Sequence, residues 1–247
     1  MPRFLMFTLA APMASFGGVA VGERRGGWER PTASALLGLL AAALGIERSQ
    51  EADHIALASS CRFAIRVEQP GRPFADYHTA QVPPQRKGRR FATRAEELAA
   101  DDLETILSRR EYRSDVLSTI AIAATDTAPY TLEALAGALR QPSFTLYLGR
   151  KACPLALPLA PCIVEAQDVV AAFAVHDADQ PASMREFRTQ HGYASKPDYI
   201  SVDRRIMPAE VGASRIERRR DQPESRVRRL FTLREEAIVH GDRRGAS

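Results

Sequence analysis

The chain has 247 residues, with 34 Lys and Arg against 30 Asp and Glu and a formal charge of +4. Its 45% hydrophobic content is enough core for one large domain or two small ones, and a pI near 9.2 admits a polyanion partner without requiring one. Cys61, Cys153 and Cys162 show no metal-ligand spacing, which argues against zinc. The longest apolar run, Ala33 to Ile46, is well short of the ~20 residues that cross a bilayer. A soluble, cytoplasmic protein without metal, cofactor or membrane contact is expected.

In chain order, "RFLMFTLA" at 3–10 reads as a buried strand. The loop "SFGGVAVGERRGGWER" follows, with five glycines and three arginines around the only tryptophan. "PTASALLGLLAAALGI" predicts a helix entered at Pro31, capped by Thr32 or Ser34 and left at Gly45. Leu36, Leu37, Leu40 and Leu44 form its apolar face, and its Ala and Gly residues fit close packing on a sheet.

"CRFAIRVE" at 61–68 and "FADYHT" at 74–79 predict two more strands, followed by a polar insertion over 80–112. Strand pattern returns at 113–124. A helix at 131–139 is capped by Thr131 and stopped by Pro142, and "FTLYLG" at 144–149 reads as a closing strand. The order strand, helix, strand, strand, helix, strand predicts an α+β, ferredoxin-like (RRM-like) βαββαβ body. That places the body at 1–150, with 80–112 inserted as a thumb, and a C-terminal region at 151–247. A short helix near 167–174 and a last strand, "RLFTLREEAIV", are expected there.

Two segments invite an anion. The glycine-rich loop lacks a dinucleotide or Walker fingerprint, but it brings Arg24, Arg25 and Arg30 to a helix start where backbone N–H groups favour negative charge. In "PPQRKGRRFATR" the cations Arg86, Lys87, Arg89, Arg90 and Arg94 surround Phe91 without an intervening acid. Such a run is either a solvated face or a single-strand binder in which an aromatic ring stacks on bases. Gly149-Arg150-Lys151 has the same two readings, a surface turn or a close approach of backbone to phosphate. Catalysis finds little support. Asp76, Tyr77 and His78 are consecutive, and neighbours on a strand point to opposite faces.

The combination "RPTASALLGLLAAALGI", "DYHT", "REYRSDV", "YLGRKACPLALPL" and "RRRDQPES…RLFTLRE" resembles the CasD family of type I-E CRISPR Cascade subunits, within the repeat-associated RNA-binding (RAMP) superfamily. The resemblance covers nearly the whole chain and is weakest at 163–215 and in the basic insertion. It implies a non-catalytic subunit of an antiviral ribonucleoprotein that caps the 5′ handle of CRISPR RNA. The implied neighbours are the backbone subunit CasC and the large subunit CasA, with target DNA met only through the complex. Carried over by motif, Arg30, Thr32 and Ser34 face the handle, as do His78 of "DYHT", Arg113 of "REYRSDV" and Gly149-Arg150-Lys151. The alternative is a metal-independent endoribonuclease for precursor CRISPR RNA, using His78, Tyr77 and a Lys such as Lys87.

Overall fold

The structure, a computed structural model, describes residues 1–18, 22–85, 88, 90–125, 128–191 and 197–240. Elements follow in chain order: β1 (Arg3–Ala14), β2 (Arg24–Arg25), α1 (Ala33–Leu44), α2 (Glu51–Ser60), β3 (Cys61–Gln69), β4 (Arg72–Val82) and α3 (Arg94–Leu98). Then come β5 (Glu104–Ala124), α4 (Leu132–Arg140), β6 (Cys162–Glu165), α5 (Val169–Ala178), α6 (Ala182–Gln190), β7 (Tyr199–Asp203), β8 (Arg215–Ser225) and β9 (Leu230–Val239). The fold is mixed α/β around one large, mainly antiparallel sheet in the order β6-β1-β5-β3-β7-β9-β8. That sheet runs on through β6 and β7–β9, so the boundary expected at 150/151 does not coincide with a break in it.

Alternation along β1 sends side chains to two cores. Leu5, Phe7 and Leu9 meet Leu36, Leu40, Leu135 and Leu139 of α1 and α4 on one face. Phe4 and Met6 meet Val169 and Phe173 of α5 on the other. Each such leucine or phenylalanine, fully buried, contributes roughly 1.5–3 kcal/mol. The caps of α1 and α4 fall where expected: Thr32 accepts from Ala35 N–H and Thr131 from Ala134 N–H, and Gly45 ends α1. The helix α2 was missed in the sequence, because a short segment burying only Leu57, Ala58 and Ser60 carries little periodicity.

Two expectations are corrected. "FTLYLG" is not a strand. It has the strand's alternation over 145–148, with Leu146 and Leu148 buried and Thr145 and Tyr147 exposed, but the edge of β1 that it needed is occupied. There β6 pairs with Arg3 to Met6, and the proline-rich segment continues, with Thr8 N–H donating to Leu159 O and Ala156 N–H to Ala10 O. Residues 143–149 instead cross the end of α1, where Ser143 and Phe144 N–H donate to Ala43 O and Ala42 O.

The insertion expected over 80–112 begins and ends in a β-ribbon, with α3 between its strands. β4 and the first half of β5 pair from Arg72↔Ser114 out to Val82↔Glu104. Along that length β4 is almost wholly exposed, so no core imposes a hydrophobic alternation to read. The ribbon leaves the sheet at Gly71, whose φ of 74° and close approach to Ser114 O admit no side chain: a Cβ there would lie 2.3 Å from that oxygen.

Candidate nucleic-acid interface

A cleft of about 420 Å³ lies between the glycine-rich loop, α1 and residues 145–150. Its floor is the small-residue side of α1, Ala35, Gly38 and Ala42, one helical face at i, i+3 and i+7. These small residues leave room for a ligand as well as for packing. The rim carries Arg25, Arg150 and Arg226, with Thr32 and Ser34 at the helix start. Thr32 and Ser34 hydroxyls bond to each other at 2.9 Å.

The cleft continues in both directions. At one end Gly18, Gly26 and Thr32 are shared with a 670 Å³ hollow beside Trp28, Arg219 and Arg220. At the other, Gly38, Ala42, Tyr147 and Arg226 are shared with a 710 Å³ hollow beside Phe144, Arg229 and Arg48. Together they make one groove along α1, with arginines and the partly exposed rings of Trp28, Phe144 and Tyr147 spaced along it.

Electrostatics distinguishes the groove's cations. Burial, then the nearby Arg48, holds Arg226 below the usual guanidinium range. Its Nη2 donates to Ser34 O at 2.9 Å, so it is aimed at the helix start with its charge poorly compensated. Arg150 lies 4.5 Å over the Tyr112 ring, and its Nη1 is buried without a hydrogen-bond partner among the described residues. Both are placed to take an anion. Arg24 is already served: its Nε and Nη2 donate to Glu111 Oε1 at 3.1 and 2.9 Å. Glu111 Oε2 accepts Gly27 N–H at 3.0 Å, and that bond, then Arg24, holds the Glu111 carboxyl below its ordinary value.

Several expected contacts move elsewhere. Arg30 does not face the groove. It is 1% exposed and donates to Tyr199 OH at 3.1 Å, Glu217 at 2.6 Å and Glu236 at 2.7 Å. Burial alone would lower its pKa; the Glu236 charge and its other partners reverse this and raise it. Gly149 is not an opening for RNA backbone either. Its φ is 88°, and an added Cβ would sit 1.8 Å from Ser15 O, so the missing side chain makes room for the protein's own chain.

Arg113 Nη1 clamps the ribbon's root by donating to Pro70 O and Gly71 O at 3.2 and 3.1 Å. Lys151 is exposed and not part of the cleft wall. His78 sits out on the ribbon, its Nε2 2.5 Å from Asp76 Oδ2 on the same strand face, while Tyr77 is 62% exposed on the opposite face. Arg90 is exposed. Arg86, Lys87 and Arg89 lie outside the described residues.

Sequence reading missed Arg226, Arg220, Trp28, Tyr147 and Phe144 as groove residues. The signal for the arginines was the density of "RRRDQPESRVRR", which by itself does not say which side chains turn inward.

The family model described as CRISPR-associated protein (Cas_Cas5) matches residues 4–234. The chain belongs to the Cas5 family. A Cas5 relative, the CRISPR system Cascade subunit CasD of Escherichia coli (strain K12), is 34% identical over 167 residues, spanning 64% of this chain and 70% of that protein. A chain of a CRISPR RNA-guided surveillance complex shares the fold at a TM-score of 0.59 and 21% identity, covering 96% of this chain and 89% of its own. A crystal structure of a Cas protein aligns at a TM-score of 0.56 and 24% identity, covering 96% and 95%. Among the described residues of this Cas5 chain, no helix is long and apolar enough to cross a membrane. Nor do they hold a group of three or more His, Cys, Asp or Glu able to bind a metal ion.

Proposed function

We propose that this Cas5 chain is the non-catalytic, RNA-binding subunit that caps the 5′ handle of CRISPR RNA in a type I-E Cascade complex. The groove along α1 carries this reading. It is long and open, lined by cations with few internal partners, and punctuated by aromatic rings. Those are the requirements of single-stranded RNA, whose phosphates need charge and whose unstacked bases need flat apolar partners. The strand order β6-β1-β5-β3, with α1 and α4 on one face, supports a ferredoxin-like body. The relation to a Cascade subunit supports placement in the cytoplasm beside a CasC-type backbone subunit and a CasA-type large subunit, with target DNA reached through the assembly.

The endoribonuclease reading has weaker geometric support. Tyr77 and His78 diverge across the ribbon, and β5 and β2 separate β4 from the groove wall. The deciding experiment incubates the purified chain with end-labelled repeat RNA in EDTA. Retention without cleavage is expected. Cleavage that disappears in His78→Ala would establish the nuclease instead.

A further inference from the structure

Trp28, the chain's only tryptophan, stands 45% exposed at one end of the groove. Its backbone is fixed, with N–H donating to Phe16 O at 2.7 Å. One face of the indole is covered by the Arg219 guanidinium, 4.6 Å from the ring. Arg219 is an unusual neighbour for a surface ring. It is 3% exposed, its Nη1 donates to Glu236 at 3.2 Å, and its Nε is 3.9 Å from Asp221. Its Nη2 has no hydrogen-bond partner among the described residues. Burial depresses its pKa, and the neighbouring arginines oppose the help from Glu236 and Asp221. The π face of Trp28 is therefore a compensating contact for a strained cation, and the cation holds the ring in place.

Beside the ring lies the 670 Å³ hollow, walled by Gly18, Gly26 and Gly27 together with the Arg24–Glu111 pair and Asp221, with the exposed Arg220 at its edge. The volume is in the range of pockets that hold a small planar ligand. We propose that Trp28 is a stacking platform for one unpaired nucleobase of the bound RNA, with Arg219 as the positioning residue behind it and Arg220 contacting the adjacent phosphate. This rests on the RNA-binding reading above and adds a base-stacking subsite to it. A cation behind an indole draws electron density from the ring, which favours the larger and more electron-rich purines on the open face. Selection here is expected to follow stacking area rather than a hydrogen-bond code.

A single tryptophan makes the test direct, because fluorescence reports this ring alone. The full chain is titrated with repeat-derived RNA and with an abasic ribose–phosphate strand of equal length, following both fluorescence and binding. The RNA is expected to quench Trp28. The abasic strand is expected to bind through phosphate contacts without quenching. Trp28→Ala is expected to lose roughly five- to a hundred-fold in RNA affinity and nothing for the abasic strand, while Trp28→Phe retains most of the binding. Arg219→Met is expected to loosen the indole, read as faster depolarisation of its fluorescence in the free protein. RNA binding with unchanged Trp28 fluorescence overturns the platform and leaves the RNA-binding reading intact. Failure of both strands to bind overturns the two together.

Discussion

The chain uses arginine in two opposite ways within one helix's reach. Behind the start of α1, Arg30, Arg219 and Arg234 are buried among Glu217, Asp221 and Glu236, with charge answered by charge. In front of it, Arg25, Arg150 and Arg226 line a groove with few acids among them. The first set fastens the β8–β9 hairpin to the helix start: Asp221 accepts Ala33 N–H at 2.9 Å, which fills the anion position that a bare helix N-terminus would offer a ligand. The second set has no such acidic partner in salt-bridge contact among the described residues. The difference shows that cation density points to an anion-facing surface only after the internally paired cations are set aside.

The largest effect expected from breaking this division is on stability. Arg30→Ala takes from buried Glu236 one of its three arginines and leaves Glu217 with Arg215, and it is expected to cost about 3–5 kcal/mol, read as a shift in urea midpoint. A midpoint shift below ~1 kcal/mol would place Arg30 among the surface cations after all.

The buried set also sets an acid limit. Burial opposes ionisation of Glu236, but Arg234, Arg219 and Arg30 overcome it and hold the carboxyl at about 2, against an ordinary 4.5. A depressed carboxyl stabilises the fold above its unfolded value and loses that contribution as pH falls toward its folded value. Stability is therefore expected to drop by roughly 3 kcal/mol between about pH 4.5 and about pH 2 from this group. In Glu236→Gln that step should be absent from the pH dependence of the urea midpoint. An unchanged acid limb in the variant would assign the loss to other carboxylates.

How much of this was legible beforehand depends on where burial imposes a pattern. α1 and α4 were readable because one face of each packs into a core and spaces its apolar residues accordingly, and β1 and β3 because they are apolar runs buried on both faces. The ribbon strand β4 was cut short and β5 begun late, because exposed pairs leave no alternation to detect. "FTLYLG" misled for the converse reason: it alternates, but the choice of which segment takes the β1 edge is tertiary. Thr32, Ser34, Arg25 and Arg150, singled out from local pattern, line the groove. Arg30 was misassigned because its partners lie 169 to 206 residues away in sequence. Gly149 was correctly singled out for a backbone need, but the chain it accommodates is Ser15, not RNA.

On the groove side the comparison predicts the reverse signature, lost binding with little lost stability. Arg226→Ala removes a charge already depressed by burial, so the fold should tolerate it, while repeat-RNA affinity falls by roughly ten- to a hundred-fold. The salt slope of binding should flatten by about 0.7, one phosphate on a single strand. Arg228→Ala, exposed and outside the cleft wall, serves as the matched control. Equal losses in the two variants would mean that general charge, not the groove, attracts the RNA.

The smallest expected effect is at Arg24, which belongs to neither set. It is exposed, with 75% of its side chain open, yet paired to Glu111. An exposed pair of this kind contributes about 0–1 kcal/mol, so Arg24→Ala should barely move the urea midpoint. Its RNA effect should also be small, because any phosphate must compete with a carboxylate oxygen that already accepts from two guanidinium nitrogens, whereas Arg226 has no carboxylate in salt-bridge contact among the described residues. Glu111→Gln frees the guanidinium and is expected to raise the salt slope slightly, by making Arg24 available as one further phosphate contact. Combining Arg24→Ala with Glu111→Gln should abolish that gain, and the cycle measures their coupling through RNA binding rather than through folding. A loss in Arg24→Ala as large as that in Arg226→Ala would show that Glu111 yields the guanidinium readily to RNA. Pairing in the free chain would then predict only which cations are buried, and the Arg24–Glu111 contact would be a resting position of a loop that turns to phosphate when the handle arrives.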